Sequence, residues 1–175
     1  MEVEFPEIKQ IDITQIPSDI GEVSDTYSTV LVDVEVIENG DKDQLGKLML
    51  ILDRESALKF ADHLEKEVCA NYRENSGQLN EIDESALKET GNILTGACLA
   101  AMTGWVDLQL KEGIPSIETD MLGATLDQIL IDISRDVDEV LLFKTEFNFE
   151  ENIDANFLFL FEPEGEKEVL EKIKV

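Results

Sequence analysis

Apolar positions fall into two kinds of pattern along the chain. Short runs rich in β-branched, aromatic and leucine residues occupy 3–11, 26–37, 46–52, 115–119, 139–148 and 155–162, and they predict six strands. Longer stretches with apolar positions three and four apart, at 54–71, 84–112, 120–135 and 164–173, predict helices. The first helix follows Asp53, whose carboxylate is suited to cap free helix N–H groups. The expected class is α+β, a sheet of about six strands with long helices packed against it.

The segment ENGDKDQLG, 38–46, reads as a hairpin loop around an Asn-Gly turn with solvated charges rather than as a calcium loop. Gly40, Gly46 and Lys47 imitate a phosphate loop, but five residues separate the glycines and Leu48 follows the lysine, so that motif is set aside.

Two halves of the chain echo each other at an offset of about 110 residues. Pro6-Glu7-Ile8 answers Pro115-Ser116-Ile117, VLVDVEV from Val30 resembles LLFKTEF from Leu141, and KLMLILD from Lys47 resembles NFLFLFE from Asn156. Each half ends in an acidic helical segment. One domain over 1–175 is expected, made of pseudo-repeats at about 1–71 and 84–175.

The helix expected at 84–112 carries two different faces. Leu87, Leu94, Ala101 and Leu108 recur every seven positions, interleaved with Gly91, Cys98 and Trp105. At about 100° per residue these seven fill a stripe roughly 80° wide, the face expected to pack on the sheet. Ser85, Glu89, Asn92, Gly96, Ala100 and Thr103 cluster opposite, and Ile93 and Leu99 flank them as apolar surface for a docking protein. An exposed Glu and Asn on a helix are in themselves compatible with a plain solvated face.

Charge narrows the classes. The 175 residues hold 40 acids and 14 bases, a net charge of −26. No basic stripe is available for phosphate contacts, which disfavours nucleic acid as a partner. At 43% hydrophobic the composition is that of a folding chain. MEVEFPE lacks the features of a secretory signal, and Ile93–Val106, 14 residues with two glycines and two threonines, is too short to span a bilayer, so no membrane span is expected. Cys69 and Cys98 form no CxxC pair and His63 stands alone, so neither a zinc site nor a disulfide framework is expected, and a reducing cytoplasm is the expected compartment.

The spacing Ser85-x3-Glu89-x2-Asn92-x22-Pro115 resembles the signature of the CheC/CheX/FliY family of phosphatases, which dephosphorylate the chemotaxis response regulator CheY. That signature runs Asp or Ser, three residues, Glu, two residues, Asn, 22 residues, Pro. ESALKETGNILTGACLAAM resembles the family's second motif helix, and the duplicated layout spans essentially the whole chain. One departure stands out. CheC-type members begin with another copy of this helix, and the repeat offset places its counterpart before Met1, so the first-copy N-terminal helix is expected to be missing.

The resemblance implies hydrolysis of an aspartyl phosphate, with Asn92 orienting the attacking water and Glu89 pairing with the receiver's active-site lysine. Ser85, Ile93, Gly96 and Leu99 are then expected in the partner contact, and Pro115 is structural. It implies no cofactor or metal of the chain's own, the Mg²⁺ being supplied by the response-regulator substrate. The expected partners are a phosphorylated CheY-type receiver domain and CheD, with a homo-oligomer or another protein covering the sheet left bare. The alternative is a non-catalytic adaptor of the chemotaxis pathway that binds CheD or phospho-CheY.

Overall fold

The computed structural model describes residues 2–3, 7–38, 41–68, 78–106, 108–133, 139–149 and 153–173. Its elements are β1 (Glu2–Val3), β2 (Glu7–Asp12), a 3-10 turn (Ile13–Gln15), α1 (Ile16–Ile20), β3 (Thr26–Glu38), β4 (Asp41–Asp53), α2 (Arg54–Val68), α3 (Glu81–Val106), β5 (Gln109–Glu112), β6 (Ser116–Met121), α4 (Leu122–Ile133), β7 (Glu139–Phe149), β8 (Ile153–Phe161) and α5 (Pro163–Ile173). Residues 4–6 within the expected first strand, the C-terminal ends of helices 54–71 and 120–135, and the turn at Asn39-Gly40 lie outside the described residues.

The sheet is antiparallel, in the order β1-β7-β8-β4-β3-β5, with β2 also on β7 and β6 also on β3. It is six strands wide, as the sequence predicts, but eight strands make it, because each edge is built from two segments. β3 runs to Glu38 and leaves Val34–Ile37 as an open edge, and Gln109–Glu112 fill it in antiparallel register. This corrects the helix expected through residue 112: α3 stops at Val106, and Leu108 leaves it to enter the core. Gly113–Pro115 then cross between the two edge segments, with the Gly113 N–H donating to the Asp33 carbonyl at 2.8 Å. Pro115 precedes β6 on this edge, where a missing N–H costs least.

A second correction concerns 38–46. Most of the expected loop is strand, since β4 starts at Asp41, and one extra residue of β4, Leu45, is absorbed by a register shift between Val34 and Glu35. Leu45 turns into the core there, with its carbonyl accepting the Glu162 N–H at 3.0 Å. Gly46 follows because a Cβ would run into the Leu160 carbonyl oxygen. The acids and lysines of this hairpin pair across it, Lys42 with Glu35 at 2.7 Å and Lys47 with Asp33 at 2.5 Å.

Helices cover both faces of the sheet. Val30, Val32, Val34 and Val36 of β3 alternate toward one face with Leu48, Leu50 and Leu52 of β4 and Phe157, Phe159 and Phe161 of β8, under α2, α3 and α5. Met49, Ile51, Leu142, Leu158 and Leu160 point the other way, under Ile16 of α1 and Leu122, Leu126, Ile129 and Leu130 of α4. β4 and β8 are therefore buried on both faces, which explains their uninterrupted LMLIL and FLFLF runs. Asp53 caps α2 as expected, its carboxylate accepting from the Ser56 N–H at 2.8 Å and hydroxyl at 3.2 Å.

Candidate functional site

The face of α3 turned away from the sheet is set by how this helix starts and how it packs. It begins at Glu81, three residues before the expected start, because Asn80 and Asp83 close a reciprocal cap. The Asn80 carboxamide oxygen accepts from the N–H groups of Ile82 (2.8 Å) and Asp83 (3.1 Å), and the Asp83 carboxylate accepts from the Asn80 N–H (2.9 Å). Ser85 lies in the second turn, exposed, so organising the helix start belongs to Asn80 and Asp83 and not to Ser85.

Asp83, Leu87, Gly91, Thr95 and Leu99 are the fully buried positions of α3 among the described residues, every fourth residue in turn, with Leu94, Cys98 and Met102 packed half-buried beside them. Such a row is inclined to the helix axis, and each step of four turns it by about 40°. Gly91 is where the row comes nearest the sheet, since a Cβ there would lie 2.6 Å from Val30 Cγ1. By Leu99 the row has rotated onto the side expected for docking. Leu99 is 4% exposed and packs in the core, which corrects its expected place in the partner contact, while Ala101 is exposed although the seven-residue spacing puts it in the core. The Trp105 side chain lies outside the described set.

Glu89 and Asn92 face outward together, Glu89 exposed and Asn92 half-buried. They stand three positions apart, a rise of about 4.5 Å along the axis. Among the described residues neither takes part in a hydrogen bond or an ion pair. The neighbouring hydroxyls are occupied within the helix, Thr90 on the Ala86 carbonyl (3.0 Å) and Thr103 on the Leu99 carbonyl (2.8 Å). Beside the pair stands Ile93, 62% exposed. Ile82, 63% exposed, projects at nearly the same azimuth eleven residues earlier. A helix begun at residue 84 leaves Ile82 out, which is why the sequence pattern alone does not bring it to this face.

Gly96 completes this face. Glycine inside a helix costs about 1 kcal/mol relative to alanine. Unlike Gly91, Gly96 has nothing within 4 Å of the position a Cβ would take. Cys98, one turn from Leu94, is largely buried, and that burial pushes its thiol up to about 11. The thiol is therefore expected to resist an aromatic disulfide reagent at pH 8 in the folded protein and to react at once in denaturant; equal rates in both states would refute the packing. Because its folded value is raised, the stability held below about pH 9 falls as pH climbs through 11.

The site is a surface and not a cavity. A cavity of about 430 Å³ opens at the start of α3 between Thr26, Ser28, Arg54, Leu58, Leu79 and Glu84, and neither Glu89 nor Asn92 lines it. Among the described residues no group of three or more His, Cys, Asp or Glu side chains could hold a metal ion. No helix among them is long and apolar enough to cross a membrane.

No protein-family profile matches the chain. A stretch of 56 residues is 38% identical to the CheY-P phosphatase CheC of Bacillus subtilis, covering 32% of this chain and 27% of that protein. Over 98% of its length the chain superposes on FliY of Thermotoga maritima, with a TM-score of 0.62, 19% identity and 80% of that chain covered. The short CheC match supports the resemblance to the CheC/CheX/FliY family. CheX of Borrelia burgdorferi, solved in complex with CheY, beryllofluoride and magnesium, superposes at a TM-score of 0.52 over 92% of this chain and 83% of that one, with 15% identity. The structural likenesses establish the CheC-like fold. The curated match spans about a quarter of that relative's length.

Proposed function

We propose that this chain hydrolyses the aspartyl phosphate of a phosphorylated CheY-type receiver and so ends a chemotaxis signal. The observation that carries the reading is the placement of Glu89 and Asn92 side by side on the outward face of α3, accessible and unpaired among the described residues, at the family's spacing. A phosphorylated domain can approach such a convex face, whereas a recessed cavity suits a small molecule.

Water attacks phosphorus in line, the bond from phosphorus to the aspartyl oxygen breaks, and the carboxylate leaves with the electron pair. The water's proton passes to phosphate or solvent, and inorganic phosphate is released. An acyl phosphate already has a good leaving group, so the chain's task is positioning. The Asn92 carboxamide offers two donors and an acceptor, enough to hold the water and contact a phosphoryl oxygen together. Glu89, one turn away, pairs with a lysine of the receiver and fixes the register of docking. The Mg²⁺ that neutralises developing charge comes with the receiver.

The test is the rate of phosphate loss from phosphorylated CheY in Mg²⁺ buffer, with and without the protein. Acceleration supports the reading; tight binding of the phosphorylated receiver with unchanged decay establishes an adaptor instead. Salt adds a second readout. This chain carries −26 as a whole, so the repulsion of an acidic receiver by its other, acidic faces slows encounter at low ionic strength. The rate at subsaturating protein is expected to rise about threefold between ~20 and ~150 mM salt. A steep fall over that range contradicts the docking mode.

A further inference from the structure

We infer that Gly96 is a contact and specificity position for the receiver, kept side-chain-free so that the receiver's backbone can lie directly against α3 beyond the phosphoryl group. The inference rests on the phosphatase reading for the identity of the partner. Its own ground is the contrast between two glycines of one helix. At Gly91 the chain's own packing forbids a side chain, since a Cβ would run into Val30 Cγ1 at 2.6 Å. At Gly96 nothing in the described structure forbids one, because no atom lies within 4 Å of the Cβ position.

An interior helical glycine with free space around it weakens the helix and brings no packing in return. The reason for it therefore lies outside this chain. Gly96 is four residues from Asn92, directly along the same row of the helix, so a domain that seats its phosphoryl group at Asn92 must cross Gly96 next. Exposed Ile93 borders the crossing, and Thr90–Val106 holds no ionisable acid or base except Cys98, so an acidic receiver meets no like charge there. A side chain at 96 lifts the receiver away from Asn92 and Glu89 together.

The experiment compares Gly96→Ala and Gly96→Leu with wild type in thermal unfolding, in binding to beryllofluoride-activated CheY, and in dephosphorylation kinetics. Gly96→Ala is expected to raise the melting temperature by about 3 °C while weakening binding about threefold. Gly96→Leu should stay folded and weaken binding at least tenfold, with KM raised by the same factor and kcat within about twofold of wild type. Wild-type binding and KM in both variants overturn the inference while leaving the phosphatase reading intact. If wild type binds without speeding decay and Gly96→Leu abolishes binding, the contact stands and the phosphatase reading falls. If wild type neither binds nor accelerates decay, both fall.

Discussion

Asn92→Ala is expected to lower the acceleration of CheY-P decay by about 100-fold, with the melting temperature within about 1 °C of wild type. The size follows from what the residue is asked to do. If positioning the water is the whole contribution of this chain, removing the group that positions it removes most of the catalysis. Stability should be spared because the side chain takes part in no hydrogen bond or ion pair among the described residues and sits on the face turned away from the sheet. Glu89→Ala separates docking from chemistry. It should raise KM about tenfold through loss of a charge-assisted contact and change kcat much less. An Asn92→Ala variant that keeps wild-type kcat removes the mechanism, whatever becomes of binding.

The pair that carries this prediction is legible in the amino-acid sequence because a helix fixes side-chain geometry by count alone. Residues 89 and 92 must share a face wherever the helix sits. Which further residues join them depends on how the helix rests on the sheet, and that is a tertiary matter. A seven-residue repeat assumes a buried stripe running almost straight along the axis. α3 instead packs along an inclined row of every fourth residue, anchored where Gly91 meets Val30, so Leu99 is carried inward and Ala101 outward. Ile82 escapes the sequence pattern for a local reason. The cap that starts α3 is Asn80-x-x-Asp83, with aspartate where the usual box has Glu or Gln.

Strands are legible where both faces are buried and illegible where pairing alone makes them. LMLIL and FLFLF declare β4 and β8, whereas QLKE at 109–112 has no strand pattern and is extended because β3 offers it an edge. The hairpin loop is shorter than its composition suggests for a related reason, since polar residues from Asp41 to Gln44 continue the ladder on its solvent side. The strands of residues 1–71 interleave with those of 84–175 in one sheet. Each half's leading strand lies on the other half's second strand, β2 on β7 from Glu7↔Lys144 and β6 on β3 from Thr26↔Met121, while β4 and β8 pair at the centre.

That central pair makes Phe159 the position where truncation should cost most. Phe159→Ala is expected to destabilise the protein by about 3–5 kcal/mol, a fall of roughly 10 °C in melting temperature. The side chain is 0% exposed, opposite Leu48 on β4, with its ring stacked on Phe161 at 4.1 Å between centroids and 23° between planes. Its far edge lies over Gly46, where a Cβ would approach Cε2 to 2.8 Å. Collapse into the vacated volume is hindered on every side: β4 and β7 hold the strand in register, and Gly46 has no side chain to swing in. The transfer and cavity costs therefore add with little relief. Urea unfolding should show a lower midpoint at unchanged m, because the same surface is exposed on unfolding. At temperatures well below its melting point the variant should still dephosphorylate CheY near the wild-type rate, since the ring touches nothing on the outward face of α3. A loss under about 1 kcal/mol would mean the central strands can close around the gap, and the two-sided burial of β8 would not be what holds the sheet together.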